Sequence, residues 1–191
     1  MSDVVSGEGG RWRVGRSVAG IVLAGRHDSG TDPISEFIRR PLIEVAQTPQ
    51  ICYSLAWLRD AGVRSVVISG GASTSDLRTY LRGGSELGLS LLYQQEDHPR
   101  GPAGCVRDAA SLVEASTFVV VEASLIPVLD LAALLSAHRR SGASVTSVVE
   151  LDRRKLAAAG DLRQPGGVYV FERSVLERIP LRGFHDIKQG L

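Results

Sequence analysis

The sequence predicts an α/β fold, a Rossmann-like three-layer sandwich around a mostly parallel central sheet. Short continuous apolar runs read as buried strands, and apolar residues recur at helical spacing between them. Glycines punctuate the junctions. Strands that alternate with helices in one chain imply parallel pairing, because each crossover helix buries its apolar stripe against the sheet.

The elements follow in order. Val18 to Leu23 is a strand ending at Ala24-Gly25, followed by a long polar stretch from Arg26 to Arg40. Ile51, Leu55 and Leu58 define a helix from Pro49 to Ala61, with Thr48 as N-cap, Pro49 at the first helical position and Gly62 closing it. Val66 to Ile68 is a strand before Gly70-Gly71, Ser75 to Leu81 a short helix, and Leu89 to Tyr93 a third strand. Pro102 to Val113 reads as a helix and Phe118 to Val121 as a strand. Leu131, Leu134, Leu135 and His138 share a helical face, which makes His138 a core histidine. Val145 to Val149 and Val168 to Phe171 complete the sheet.

With 191 residues, 43% of them hydrophobic, the chain suits one domain. Residues 1–17, Gly-rich and carrying Arg11, Arg13 and Arg16, read as a flexible leader, and 18–191 as the domain. Twenty-two basic and 21 acidic residues leave a net charge of +1, which argues against nucleic acid or an anionic membrane as partner. Cys52 and Cys105 lack metal-ligand spacing and read as buried small side chains in a reducing compartment. With no membrane-length apolar run and no signal-peptide pattern, the expected location is the cytoplasm.

In sheets of this kind ligands sit at the carboxyl ends of the strands, which directs attention to the loops at Gly25, Gly70, Glu122 and Glu150. The loop from Leu23 through Ala24, Gly25 and Arg26 to Thr31 has the location of a phosphate cradle, without a Walker or G-x-G-x-x-G pattern. Gly101-Pro102-Ala103-Gly104 opens a helix, either as a close seat for a base or ribose or as a plain helix start with proline in its first turn. Glu122 at its strand tip is either a hydrogen-bond acceptor for a ligand hydroxyl or a solvated strand end, and His185-Asp186 either an acid–base or metal pair or an exposed turn.

Leu23-Ala24-Gly25, Arg40-Pro41-Leu42-Ile43-Glu44-Val45, Gly101-Pro102-Ala103-Gly104, Gly167-Val168-Tyr169-Val170-Phe171 and Phe184-His185-Asp186-Ile187-Lys188 together resemble the sugar-1-phosphate nucleotidylyltransferase family. The match runs in order from about Val18 to the end of the chain. The resemblance implies the nucleotide-diphospho-sugar transferase version of this fold. For typical members it also implies Mg²⁺-dependent transfer of a nucleotidyl group to a sugar phosphate with release of pyrophosphate. Carried over position by position, it makes Arg40 the catalytic candidate, and Leu23, Ala24, Gly25, Arg26, Gly101, Pro102, Ala103, Gly104 and Glu122 the nucleotide side. Gly166 and Gly167 fall on the sugar-phosphate side.

Departures from the family pattern concentrate at the charged positions. Gly30 stands where the family has its catalytic arginine, Arg40 where it has a lysine, and Ala123-Ser124 where it has the metal-binding Gly-Asp. The span between Val149 and Val168 is short for the family's hairpin with Glu-Lys-Pro, and Pro165-Gly166-Gly167 replaces Asn-Ala-Gly. The expectation is therefore a degenerate, catalytically impaired member, with no metal ligands assigned and Mg²⁺ as cofactor only if it is active. It would bind a nucleotide or nucleotide sugar, or pair with a second copy or an active relative, in sugar-nucleotide or polysaccharide metabolism. Two alternatives stand beside it: a working Mg²⁺-dependent sugar-1-phosphate nucleotidylyltransferase, and a protein-interaction module without ligand.

Overall fold

The computed structural model describes residues 17–25, 40–71, 74–96, 98, 100–151 and 163–187. A six-stranded sheet is built from β1 (Val18–Leu23), β4 (Ser65–Gly70), β5 (Ser90–Gln95), β6 (Thr117–Glu122), β7 (Val145–Leu151) and β8 (Arg163–Glu172), in the order β5-β4-β1-β6-β8-β7. β1 pairs in parallel with both β4 and β6, and β4 with β5. β8 runs against β6 and β7, so it alone reverses direction and the mostly parallel expectation holds.

Side-chain alternation along the strands divides the core between the two faces of the sheet. On one face Val22, Val66, Ile68, Val119 and Val121 meet helices α1 (Gln50–Asp60), α2 (Thr74–Leu81) and α4 (Leu131–Ser141) through Ile51, Leu55, Leu58, Leu77, Leu81, Leu131 and Leu135. On the other face Ala19, Ile21, Val67, Phe118, Val120 and Phe171 meet α3 (Gly101–Ala110) and the short α5 (Arg173–Leu176) through Ala103, Val106, Ala109 and Leu176. Ile179 and Ile187 join this second core, so the segment after α5 is packed against it. Among the described residues no helix is long and apolar enough to cross a membrane.

Local chemistry explains most helix ends. Asp130 caps α4 by accepting the Ala133 N–H at 3.0 Å, and Gly142 closes it in a left-handed conformation. Helix α1 begins one residue later than its proline suggests. Thr48–Pro49 (β3) pairs with Glu44–Val45 (β2) in a small antiparallel hairpin, which leaves Pro49 as the N-cap without a side-chain cap. The hairpin turn puts Ala46 and Gln47 both at positive φ, a two-residue primed turn that carries none of the usual Asn-Gly signal. β8 also starts earlier than Val168. Its first residues pair only with the edge strand β7, Pro165 lying opposite Val149, where a proline is tolerated in a sheet.

His138 is a core side chain as expected, 1% exposed. Its Nδ1 lies 2.6 Å from Thr146 Oγ1 and its Nε2 3.2 Å from Glu172 Oε1, and the Thr117 hydroxyl donates to the same carboxylate oxygen at 3.0 Å. Arg173 ties the far end of α3 to β6. Its guanidinium donates to the carbonyls of Ala115 (2.6 Å), Val113 (2.6 Å) and Ala110 (3.3 Å) and lies over the Phe118 ring.

Cys105 is buried on α3 beside Glu96 and Ser69. Burial first, then the neighbouring carboxylates Glu96 and Asp108, pushes its thiol up to about 12, against the Ser69 hydroxyl, which favours the thiolate. Cys105 is thus a packed thiol rather than a nucleophile.

Two outcomes are expected. Arg173→Ala removes a charged donor from three carbonyls and lowers the unfolding free energy by ~1.5–3 kcal/mol in urea titrations. Arg173→Lys, which keeps charge but not the planar fork, recovers less than half of that loss. For Cys105 the native state holds its proton above the ordinary thiol range near ~8.5. Its contribution is therefore complete below that pH and declines as pH rises toward about 12. Cys105→Ala is expected to show a shallower alkaline loss of stability, and native Cys105 to resist alkylation at neutral pH.

Candidate functional site

The parallel register levels the strand ends. Leu23 stands opposite Ser69 on one side and Glu122 on the other, and Gly70 opposite Gln95. Because β8 runs the other way, its early residues Gly166 and Gly167 arrive at the same edge, just before Val168 pairs with Val121. Gly25, Gly70, Glu122, Gly166 and Gly167, drawn from distant parts of the sequence, therefore share one rim.

Backbone hydrogen bonds continue across this rim after the strand ladder stops. Ala24 N–H donates to Ser69 O at 2.7 Å, Ala123 N–H to Leu23 O at 2.9 Å, and Glu96 N–H to Gly70 O at 2.8 Å. Leu23 and Ala24 are buried and offer a ligand only main chain, whereas Gly25 is exposed. A side chain at Gly70 would press on the Ala24 carbonyl, with its Cβ 3.1 Å from Ala24 C, so the turn after β1 folds directly over the end of β4.

Three side chains of α1 fix the loop after β6. Gln50 Nε2 donates to Ser124 O (2.7 Å), Ser54 Oγ to Leu125 O (2.9 Å) and Trp57 Nε1 to Leu129 O (2.8 Å). The donors recur at near-helical spacing, so one face of α1 holds the loop that carries Ser124. Ser124 itself is exposed at the tip of the central strand, immediately beyond Glu122 and Ala123.

The opposite wall comes from β8. Gly167 has φ +72, and a Cβ there would stand 2.6 Å from Leu125 and 3.0 Å from the Glu122 carboxyl carbon. Glycine is thus required twice over, by conformation and by the closeness of Glu122. Two positions on, Tyr169 is buried, and its phenol is held above the ordinary tyrosine range by burial first, then by the negative charges of Glu122 and Asp186. Tyr169 therefore marks a place where β6, β8 and the segment after α5 converge. Nothing local in the sequence singled it out, since the convergence arises from strand pairing.

The first turn of α3 borders this place. Ala103 N–H donates to His185 O at 3.0 Å, and His185 N–H to Arg100 O at 2.8 Å. The Cβ of Arg100 lies 2.8 Å from where a Gly104 side chain would begin. The helix start is thus packed by the chain's own segment at Gly101 and Ala103. His185 and Asp186 are half-buried rather than an exposed turn, and the imidazole Nε2 lies 2.9 Å from the Arg182 carbonyl. Arg40 opens a single 3-10 turn, Arg40–Leu42. Arg26 and Gly30 lie outside the described residues.

Mg²⁺, implied by the family resemblance, requires hard oxygen donors, usually carboxylates together with substrate phosphates. At the strand tip the side chains offered are the Glu122 carboxylate and, two residues on, the neutral hydroxyl of Ser124. Among the described residues no group of three or more His, Cys, Asp or Glu side chains gathers to hold a metal.

Known proteins share the sequence pattern and the fold of this chain. Mannose-1-phosphate guanylyltransferase of Mycobacterium tuberculosis is 28% identical over 85% of this chain and 51% of its own length. The catalytic subunit beta of the same enzyme from Drosophila pseudoobscura pseudoobscura is 27% identical over 88% and 52%. The chain thus spans about half the length of these curated relatives. Among solved structures, one from Bacillus anthracis assigned as a glucose-1-phosphate thymidylyltransferase superposes with a TM-score of 0.71 at 20% identity, covering 84% of this chain and 74% of that one. HddC from Yersinia pseudotuberculosis, complexed with GMP-PN, gives 0.68 at 16% identity over 91% and 84%. The family description "Nucleotidyl transferase" matches residues 19–159, most of the β1 to β7 core, and the chain belongs to that family.

Proposed function

We propose that this chain binds a nucleoside triphosphate or nucleotide sugar across the carboxyl rim of the sheet and transfers nucleotidyl groups weakly or not at all. The Gly25 turn and the remaining face of the α3 start seat the nucleotide, Glu122 accepts from a ligand hydroxyl, and Gly166 and Gly167 admit the sugar phosphate. The family resemblance assigns Arg40 to the phosphates.

The observation that carries the reading is Ser124, a neutral side chain at the strand tip beside an otherwise level rim. The rim's backbone ladder and close packing support binding. Nucleotidyl transfer additionally needs charge at the developing transition state, where losing one preorganised donor costs ~10²–10³ in rate. Gly30 in place of an arginine acts in the same direction. Such a protein serves sugar-nucleotide metabolism in the cytoplasm, alone or beside an active relative or second copy. A second reading, an active Mg²⁺-dependent enzyme with the metal carried in on the triphosphate, draws on the guanylyltransferase names of the relatives.

The first test is thermal unfolding with GTP and GDP-mannose, with and without Mg²⁺. A ligand at ~100 times its dissociation constant stabilises by ~2.7 kcal/mol, or several degrees at ~2–4 °C per kcal/mol. The reading expects a shift with the nucleotide sugar that does not depend on Mg²⁺. No shift with either ligand would overturn it. For the chemistry, pyrophosphate release from GTP and mannose 1-phosphate is expected at background for the natural chain. With Gly30→Arg and Ser124→Asp combined it is expected to rise by at least ~10²-fold. Vigorous release by the natural chain would establish the second reading.

A further inference from the structure

The segment from Pro180 to Ile187 behaves as a strap across the start of α3. Its far end is fixed by Ile187, buried in the core between sheet and α3, and its near end by buried Ile179. Between them, His185 exchanges two backbone hydrogen bonds with Arg100 and Ala103, and Arg100 Nη2 donates to Pro180 O at 3.2 Å. The Arg100 guanidinium is itself held by Asp108 at 3.1 Å. Leu181 and Phe184 are exposed, so the strap is anchored by its backbone and its two isoleucines rather than by its largest apolar side chains.

Gly101 is where the strap meets the helix. Its φ is +72, and a Cβ there would run into the His185 carbonyl oxygen and stand 2.9 Å from the His185 carbonyl carbon and 3.0 Å from its nitrogen. These are main-chain atoms, which cannot swing aside as a side-chain tip can. The next residue along the strap is half-buried Asp186, and Ile187 after it shares one core with Tyr169, whose phenol feels the Asp186 charge.

We propose that Gly101 is a positioning residue: by leaving room for the His185 backbone it clamps the strap to α3 and so holds Asp186 in the wall of the nucleotide site beside Tyr169 and Glu122. The proposal deepens the binding reading above and rests on it for its functional meaning. It assigns the glycine at the helix start to the chain's own strap. A substitution at Gly101 then disturbs the site through Asp186, at a distance from any ligand.

The test reads Tyr169 and the strap separately from ligand. Ionisation of Tyr169 is followed by near-ultraviolet phenolate absorbance immediately after rapid pH jumps, before alkaline unfolding, with Tyr169→Phe subtracted to remove the other tyrosines. Asp186→Asn is expected to lower the Tyr169 midpoint, because a negative charge that favours the neutral phenol is gone. Gly101→Ala and Ile187→Ala are expected to lower it in the same sense, and Asp186→Asn in the Gly101→Ala background to add nothing further. Gly142→Ala serves as control for backbone strain alone, since Gly142 has φ +64 and nothing within 4 Å of its Cβ position. It is expected to leave Tyr169 unchanged. Amide exchange at Ala103 and His185 is expected to accelerate by about tenfold or more in Gly101→Ala.

A Tyr169 midpoint that Asp186→Asn does not move, or that moves with Asp186→Asn but not with Gly101→Ala or Ile187→Ala, would overturn the proposal. If Gly101→Ala does not fold, Ile187→Ala decides alone. Failure of GTP and GDP-mannose to stabilise the natural chain would sink the functional reading while the Tyr169 comparison still decides the strap.

Discussion

The rim of the sheet depends on one constraint, the parallel register that sets Leu23 level with Ser69 and Glu122. Once three strands end together, their last carbonyls and amides must find partners without a ladder to continue. They do so by tucking the following turns over one another: Ala24 onto Ser69, Ala123 onto Leu23, Glu96 onto Gly70. A shelf of main chain results, with small residues where backbones meet and side chains kept to its walls. β8 completes the arrangement by arriving from the opposite direction with two glycines.

This shelf is built from main chain, and side-chain identity matters less to it than strand pairing does. The shelf is a product of strand pairing and the two cores, and substitutions in exposed loop positions leave it standing. At an exposed position such as Ser124 the sheet imposes little on side-chain identity. Gln50 holds the Ser124 backbone at 2.7 Å, and the side chain is free of that bond.

Much of this was legible in the sequence. Each sheet strand contains an apolar run that the sequence shows, although β8 begins before its own, and His138 was identifiable as a core residue from the helical face it shares with Leu131 and Leu135. Of the glycine motifs, Gly101 marks a close approach of the chain's own backbone at His185, Gly167 a close approach of the Leu125 and Glu122 side chains, and Gly25 stands in open space. The β2–β3 hairpin left no trace, because Ala46 and Gln47 are not residues that announce a primed turn. That Tyr169 and Asp186 come together escaped for a different reason. Their meeting beside Glu122 depends on β8 pairing antiparallel to β6 and on the strap doubling back to α3, contacts that local patterns do not encode.

The central claim is that the carboxyl rim of this sheet is a nucleotide-binding surface. Hydrogen exchange of the natural chain with and without saturating GDP-mannose tests it most directly, because the rim is made of main-chain amides. The expected result is added protection at Gly25, Gly166 and Gly167, with the strands beneath unchanged. Added protection confined to other parts of the molecule, or none at any concentration of nucleotide or nucleotide sugar, would contradict the account.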